Sequence, residues 1–294
     1  MIIDLNTDYS RKKTAICLGN FDGMHRGHQQ LMNRVIEKAK EKSMASSILL
    51  FTQHTQNTLK NADLPILTDL KDKINASKAM DICFILEFDD EIRQKKGEEF
   101  ISYLKKKTNF VDLFVGEDYR FGKNASSRVD DLKKLQIPFD FKLHTMEEYK
   151  VGGIPVRSTN IRRALDGGNI LFANLLLGRD YAMKGKVVHG RGRGRSLGFP
   201  TANLETNYYI PSTGVYRTLC IVEGKQYRAM TSIGTNKTFL EKELKIESYL
   251  MDFHGDLYGK EIKIIFKEYL RQNVKFKSKE ALIQQLNKDL QSWK

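Results

Sequence analysis

The first apolar block of the chain, residues 14–18 (Thr-Ala-Ile-Cys-Leu), stops at Gly19. After a turn the apolar residues return as Leu31, Val35 and Ala39, spaced for one face of a helix. The same exchange of periods continues, with strands predicted over 47–51, 82–86 and 111–115 and helices over 69–80, 97–107 and 129–135. Strands alternating with helices need a parallel sheet covered by helices on both faces, so the first half reads as Rossmann-like α/β. Beyond a helical stretch at 159–177 the texture changes. Short strand-like runs at 181–189, 215–222, 226–233, 245–253 and 262–270 are separated by Gly, Asn and Asp turns, the pattern of a small closed β-barrel. Leu282, Leu286 and Leu290 then recur at helical spacing and predict a final amphipathic helix over 278–290.

A chain of 294 residues can bury two separate cores, and the change of texture near 178–184 divides it into expected domains 1–180 and 181–294. A hydrophobic fraction of 40% with 29% charged residues and 5 prolines is that of a folded protein, not a disordered or fibrous one. No apolar run reaches the roughly 18 to 20 residues of a membrane span, and the first residues lack a signal-peptide pattern; a cytoplasmic protein without membrane partners is expected. Cys17, Cys83 and Cys220 are too widely separated for a disulfide framework or a metal-ligand spacing, and read as buried reduced thiols. The formal charge of +13 favours anionic partners. The lysines are scattered, as at 38–42, 95–96 and 105–107, with no polybasic arm and no aromatic RNA-binding signature. Phosphorylated small molecules are therefore expected before any specific nucleic acid.

Two segments carry candidate chemistry. Residues 19–28, Gly-Asn-Phe-Asp-Gly-Met-His-Arg-Gly-His, lie between the first strand and its helix, where free amide groups and the helix dipole suit a phosphate. His25 and His28 are three apart, so a helix starting near His25 turns both imidazoles toward one phosphoryl group, and Gly27 leaves room between them. Residues 190–203 combine Gly190, Gly194 and Arg195 with the hydroxyl of Thr201 and the amide of Asn203, groups that suit a polyphosphate and a hydrated metal ion. An Arg/Gly run of this kind also leaves RNA contact open.

These residues also carry a resemblance. His25-Arg-Gly-His28 resembles the HxGH signature of nucleotidylyltransferases, and Phe21-Asp22-Gly23 is similar to its FAD synthetase branch. Residues 116–122 (Gly-Glu-Asp-Tyr-Arg-Phe-Gly) resemble the branch's GxDFRFG loop. Residues 158–162 (Ser-Thr-Asn-Ile-Arg) resemble SSTxIR with Arg157 in place of its first serine, and 50–55 (Leu-Phe-Thr-Gln-His-Thr) resemble TFxPHP without its prolines. Further on, 198–203 (Gly-Phe-Pro-Thr-Ala-Asn) is similar to the riboflavin kinase signature, 211–216 to PxxGVY, and 246–253 to the strand bearing that family's catalytic Glu; Lys237 stands where the family has a proline.

Over about residues 14–290 the chain thus resembles the bacterial bifunctional riboflavin kinase/FAD synthetases. The resemblance implies a nucleotidylyltransferase-like domain followed by a riboflavin-kinase-type barrel with a C-terminal helix. It implies transfer of AMP from ATP to FMN, giving FAD and pyrophosphate, and phosphorylation of riboflavin by ATP, both with Mg²⁺. ATP is expected at Gly19, Phe21, Asp22, His25, His28, Ser158, Thr159 and Arg162, and the flavin at Phe51, Asp118, Tyr119 and Phe121. In the kinase, Gly190, Gly194, Arg195, Thr201 and Asn203 are expected to bind ATP and Mg²⁺, with Thr201 and Asn203 on the metal and Glu247 as general base. Two other readings stay open: an adenylyltransferase whose barrel no longer phosphorylates, and a non-catalytic flavin- or RNA-binding regulator.

Overall fold

The structure is a computed structural model that describes residues 1–5, 9, 12–52, 64–190, 194, 198–235, 244–291 and 293. The chain folds into two compact units, Met1–Ser158 and Thr159–Lys294.

In the first unit β1 (Ile2–Asp4), β2 (Thr14–Cys17), β3 (Ala45–Phe51), β4 (Ile82–Leu86) and β5 (Phe110–Gly116) are joined by β8 (Lys142–Met146). They form one six-stranded sheet in the order β1-β4-β3-β2-β5-β8. Every pair in it is parallel. Two short ribbons flank it, β6 (Arg120–Phe121) with β7 (Ser127–Arg128), and β9 (Lys150–Val151) with β10 (Ile154–Pro155). Among the described residues the α-helices are α1 (Arg26–Glu41), α2 (Leu70–Ala76), α3 (Asp90–Gln94), α4 (Gly97–Thr108) and α5 (Val129–Leu135).

Side chains of a strand alternate between faces, and the two cores follow that alternation. Ala15, Cys17, Ile48 and Leu50 pack with Leu31 and Val35 of α1, and Leu70 and Ile74 of α2 join them. Ile16, Leu18, Leu49 and Phe84 pack with Phe100 and Leu104 of α4 and Leu132 of α5. The helices therefore cover both faces, as the sequence pattern predicts. The predicted helix 69–80 closes earlier, at Ala76, because the Ser77 hydroxyl bonds back to the carbonyls of Lys73 and Ile74.

The second unit takes α6 (Ser158–Asp166) from its second residue and continues with α7 (Ile170–Leu177). The single helical stretch expected at 159–177 is two helices, because Gly168 turns at φ +69 and Asn169 caps α7 by accepting from Phe172 N–H. Both helices bond to the barrel unit: Leu165 C=O accepts from Ser212 N–H at 3.0 Å, and Asn174 Nδ2 donates to Phe266 C=O at 3.0 Å.

The barrel strands are β11 (Ala182–Val188), β12 (Thr201–Glu205), β13 (Gly214–Val222), β14 (Lys225–Thr235), β15 (Leu244–Leu250) and β16 (Glu261–Arg271), followed by α8 (Lys279–Gln291). They close in the order β11-β12-β15-β14-β13-β16. All neighbours are antiparallel. Closure leaves no open sheet edge. Tyr216, Cys220, Ile246, Ile264 and Phe266 are buried. Among them the hydroxyls of Thr218, Thr231 and Ser248, also buried, satisfy one another in a chain of bonds at 2.8 and 2.9 Å. All three cysteines are free and buried, and burial pushes the Cys220 thiol up to about 12.

Candidate nucleotide and flavin sites

In the first unit the adjacent strands β3, β2 and β5 end at Phe51, just before Gly19, and at Gly116. The carboxyl edge of a parallel sheet is where ligands lodge in such folds, and these three ends carry three of the predicted segments. His25 is the N-cap of α1: its Nδ1 accepts from the His28 N–H at 3.4 Å. The two imidazoles stack with centroids 3.6 Å apart and planes 13° from parallel, and Phe21 packs against His28 at 5.0 Å. A Cβ on Gly27 would press on the His25 ring at 3.3 Å, so the glycine lets the imidazole sit close over the start of the helix. The two histidines thus converge at the start of a 16-residue helix, as their spacing predicts.

The loop leading to them is wound tightly, with Phe21 at φ +49, Gly23 at +87 and Met24 at +43. Non-glycine residues hold such angles only where their surroundings impose them. Asp22 supplies part of that restraint: it is buried, its carboxylate accepts from Leu67 N–H at 2.9 Å, and its carbonyl accepts from the Ser158 hydroxyl at 2.8 Å. Asp22 and Ser158 therefore brace the loop. Thr159 and Arg162 fall in the second unit, where the Arg162 guanidinium lies 5.3 Å from the Tyr209 ring.

Of the predicted flavin residues, Tyr119 and Phe121 stack at 5.8 Å, and burial pushes the Tyr119 hydroxyl well above its usual range. Phe51 meets Phe88 edge-on at 5.2 Å. Asp118 is exposed and lies 3.9 Å from Arg157, which also bonds Glu148 through its Nε. The sequence reading missed Lys73, which is buried on α2 and donates to the Asn20 carbonyl at 3.1 Å.

In the second unit one cavity of about 460 Å³ gathers Gly194, Thr201, Asn203 and Glu247 with Phe199, Ser232 and Tyr249. The motif 198–203, to which the sequence pattern assigns no element, enters strand β12, which pairs with β15 so that Asn203 stands opposite Glu247 and Thr201 opposite Tyr249. Opposed residues share a face. Their neighbours Ala202, Ile246 and Ser248 are buried toward the barrel interior, which leaves Thr201, Asn203, Glu247 and Tyr249 on the outer face. A Cβ on Gly190 would overlap the Asn203 amide, so the glycine gives that side chain its place. The Gly194 carbonyl accepts from Phe199 N–H at 2.9 Å, and Phe199 meets Tyr249 edge-on at 5.4 Å.

The opposite wall is α8, through Leu282, Leu286 and Leu290. That helix is fixed by Arg271, whose guanidinium donates to the Asp289 carboxylate at 3.0, 3.1 and 2.6 Å. Helical spacing announced the leucines, whereas nothing in the sequence pairs Arg271 with Asp289. Arg195 and Lys237, with 53–55, lie outside the described residues.

Thr201 and Asn203 offer a hydroxyl and an amide oxygen, hard ligands of the kind Mg²⁺ takes beside phosphate oxygens. Among the described residues no group of three or more His, Cys, Asp or Glu side chains could hold a metal. The donor set fits a largely hydrated Mg²⁺ shared with a nucleotide, and not an all-protein metal cage.

A protein-family model described as FAD synthetase matches residues 7–160, and one described as riboflavin kinase matches 177–294. The bifunctional riboflavin kinase/FMN adenylyltransferase of Listeria monocytogenes is 36% identical over 284 residues, covering 94% of this chain and 90% of its own length. That of Bacillus subtilis is 33% identical, covering 95% and 91%. A solved structure from Streptococcus pneumoniae, named a macrolide-efflux protein, superposes with a TM-score of 0.87 at 29% identity, covering 99% of this chain and 97% of the other. Among the described residues of this chain no helix is long and apolar enough to cross a membrane. With two family models in succession and relatives matched nearly end to end, the chain belongs to the bifunctional riboflavin kinase/FMN adenylyltransferase family.

Proposed function

We propose that the cavity of the second unit phosphorylates riboflavin and that the carboxyl-edge site of the first unit joins the product, FMN, to AMP. The observation that carries the reading is the meeting of Thr201, Asn203 and Glu247 in one cavity, together with the stacked His25 and His28 at the start of α1. In the kinase step Glu247 takes the proton of the ribityl hydroxyl as its oxygen bonds to the γ-phosphorus of ATP and ADP leaves. Tyr249 and the α8 leucines offer the apolar surface that the flavin ring requires. Thr201 and Asn203 would hold Mg²⁺, which would supply neutralising charge to the phosphate oxygens.

In the adenylylation step an FMN phosphate oxygen attacks the α-phosphorus of ATP, the bond to the β-phosphate oxygen breaks, and pyrophosphate departs. His25 and His28 stabilise the charge on the transferring phosphoryl group. The formal charge of +13 draws polyanionic substrates toward both sites. We place the module boundary near residue 180. The FAD synthetase match ends at 160 and the riboflavin kinase match begins at 177, and α6 and α7 lie across that interval.

The test is purified protein with ATP, Mg²⁺ and either riboflavin or FMN, the flavins being separated by chromatography. Riboflavin is expected to give FMN and then FAD. Conversion of FMN to FAD without any conversion of riboflavin would leave the barrel as a non-phosphorylating module.

A further inference from the structure

Gly97 is the first residue of α4 and its φ is not left-handed, so no backbone angle calls for glycine there. Alanine would serve the helix better, and the reason for glycine lies in what packs on it. A Cβ at position 97 would stand 2.3 Å from the Ser127 hydroxyl, 2.8 Å from Ser127 Cβ and 3.0 Å from the Phe121 ring. The hydroxyl can rotate away, but Ser127 Cβ is fixed by the strand that carries it. Gly122 is as tight from the other side: it turns at φ +71, and a Cβ there would lie 2.7 Å from Gly97 N and 2.9 Å from Gly97 Cα. Beside this contact Lys123 N–H donates to the Lys95 carbonyl at 2.8 Å. The ribbon of β6 and β7 therefore lies backbone on backbone across the start of α4, an approach that only the two glycines allow. The ribbon follows β5 at the carboxyl edge of the sheet, and its Phe121 stacks on Tyr119. Tyr119, Phe51 after β3 and Phe88 after β4 are half-buried aromatic side chains packed on the same core, a surface suited to a flat ring beside the strand that leads to His25 and His28.

We infer that Gly97 is a positioning residue for the acceptor side of adenylyl transfer: by letting the ribbon lie directly on α4 it sets where Tyr119 and Phe121 stand, and with them the fit of the flavin, while the nucleotide side at His25 and His28 does not depend on it. This rests on the reading of the first unit as the site that adenylylates FMN. One methyl group wedged into so close a contact moves the ribbon, and overpacking of this size is expected to weaken the fit of a ring seated on it by about tenfold.

The experiment measures FAD formation with FMN and ATP varied in turn, with riboflavin phosphorylation as an internal control in the other unit. Gly97→Ala is expected to raise KM for FMN by about tenfold and to leave KM for ATP and riboflavin phosphorylation near wild type. Adding Ser127→Gly removes both Ser127 atoms that the new Cβ meets, and is expected to bring KM for FMN back toward wild type, a size-for-size rescue that a general loosening of the fold would not show. Ser127→Val enlarges the same contact from the ribbon side; it serves if Gly97→Ala melts early, and the same rise in KM for FMN is expected. A folded Gly97→Ala or Ser127→Val protein with wild-type KM for FMN, an equal rise in KM for ATP, or a loss that Ser127→Gly does not relieve overturns the inference. A wild-type protein that makes no FAD would overturn the underlying reading instead.

Discussion

Replacing Asp289 by Ala removes the anchor that holds α8 against the barrel. The Asp289 side chain is 6% exposed and that of Arg271 20%, and the carboxylate also accepts from Gln285 Nε2 at 2.7 Å. Truncating one partner of a wholly buried ion pair costs about 3–5 kcal/mol, because the other charge is left without compensation. Arg271 keeps some contact with water, which reduces the loss to about 2–3 kcal/mol. If that whole amount falls on the docking of α8, whose three leucines wall the cavity, riboflavin affinity drops by roughly 30- to 150-fold. FAD formation from supplied FMN should stay at the wild-type rate. Steady-state kinetics with riboflavin as the varied substrate, alongside a thermal melt, make the measurement, and Asp289→Asn should fall between wild type and Asp289→Ala. An Asp289→Ala protein with unchanged melting and unchanged KM for riboflavin would refute the idea that this pair holds the cavity wall.

His28→Ala should abolish FAD formation while sparing riboflavin phosphorylation, read by chromatography of the flavins; equal loss of both in a folded protein would contradict separate sites. Glu247→Gln should keep the fold and ligand binding but slow riboflavin phosphorylation by roughly two to four orders of magnitude, the contribution of a positioned base. Asp112 is wholly buried between Lys42, at 2.7 Å, and His144, at 2.6 Å. Burial pushes its carboxyl up, but the bonds and charges of Lys42 and His144 outweigh burial and hold it below the ordinary 3.8. A depressed carboxyl stabilises the fold fully above its unfolded value and loses that contribution as pH falls through the folded value. Unfolding measured between pH 6 and 2 should therefore show a steep loss below about 3.8 that Asp112→Asn flattens; identical acid profiles would refute the pairing.

Much of this protein was legible before any coordinates, because the informative signals were local. The 3.6-residue spacing of Leu31, Val35 and Ala39 states which face α1 buries, and the continuous apolar run at 48–51 marks a strand covered on both faces. His25 and His28 are three residues apart on one helix, so their meeting is decided by helix geometry alone. Periodicity could not show that Gly168 divides one helical stretch into two, or that 201–205 is a strand: a capping angle and a ladder partner from residue 247 decided those. The same limit applies to the sites. Glu247 lies 44 positions from Asn203 and faces it only because β15 runs beside β12, and Arg271 finds Asp289 only when α8 folds back on the barrel. Lys73 looks in sequence like any solvated lysine of an amphipathic helix. Its burial beneath Asn20 follows from how α2 packs on the sheet, and sequence periodicity cannot reveal a hydrogen bond whose partners only tertiary packing brings together.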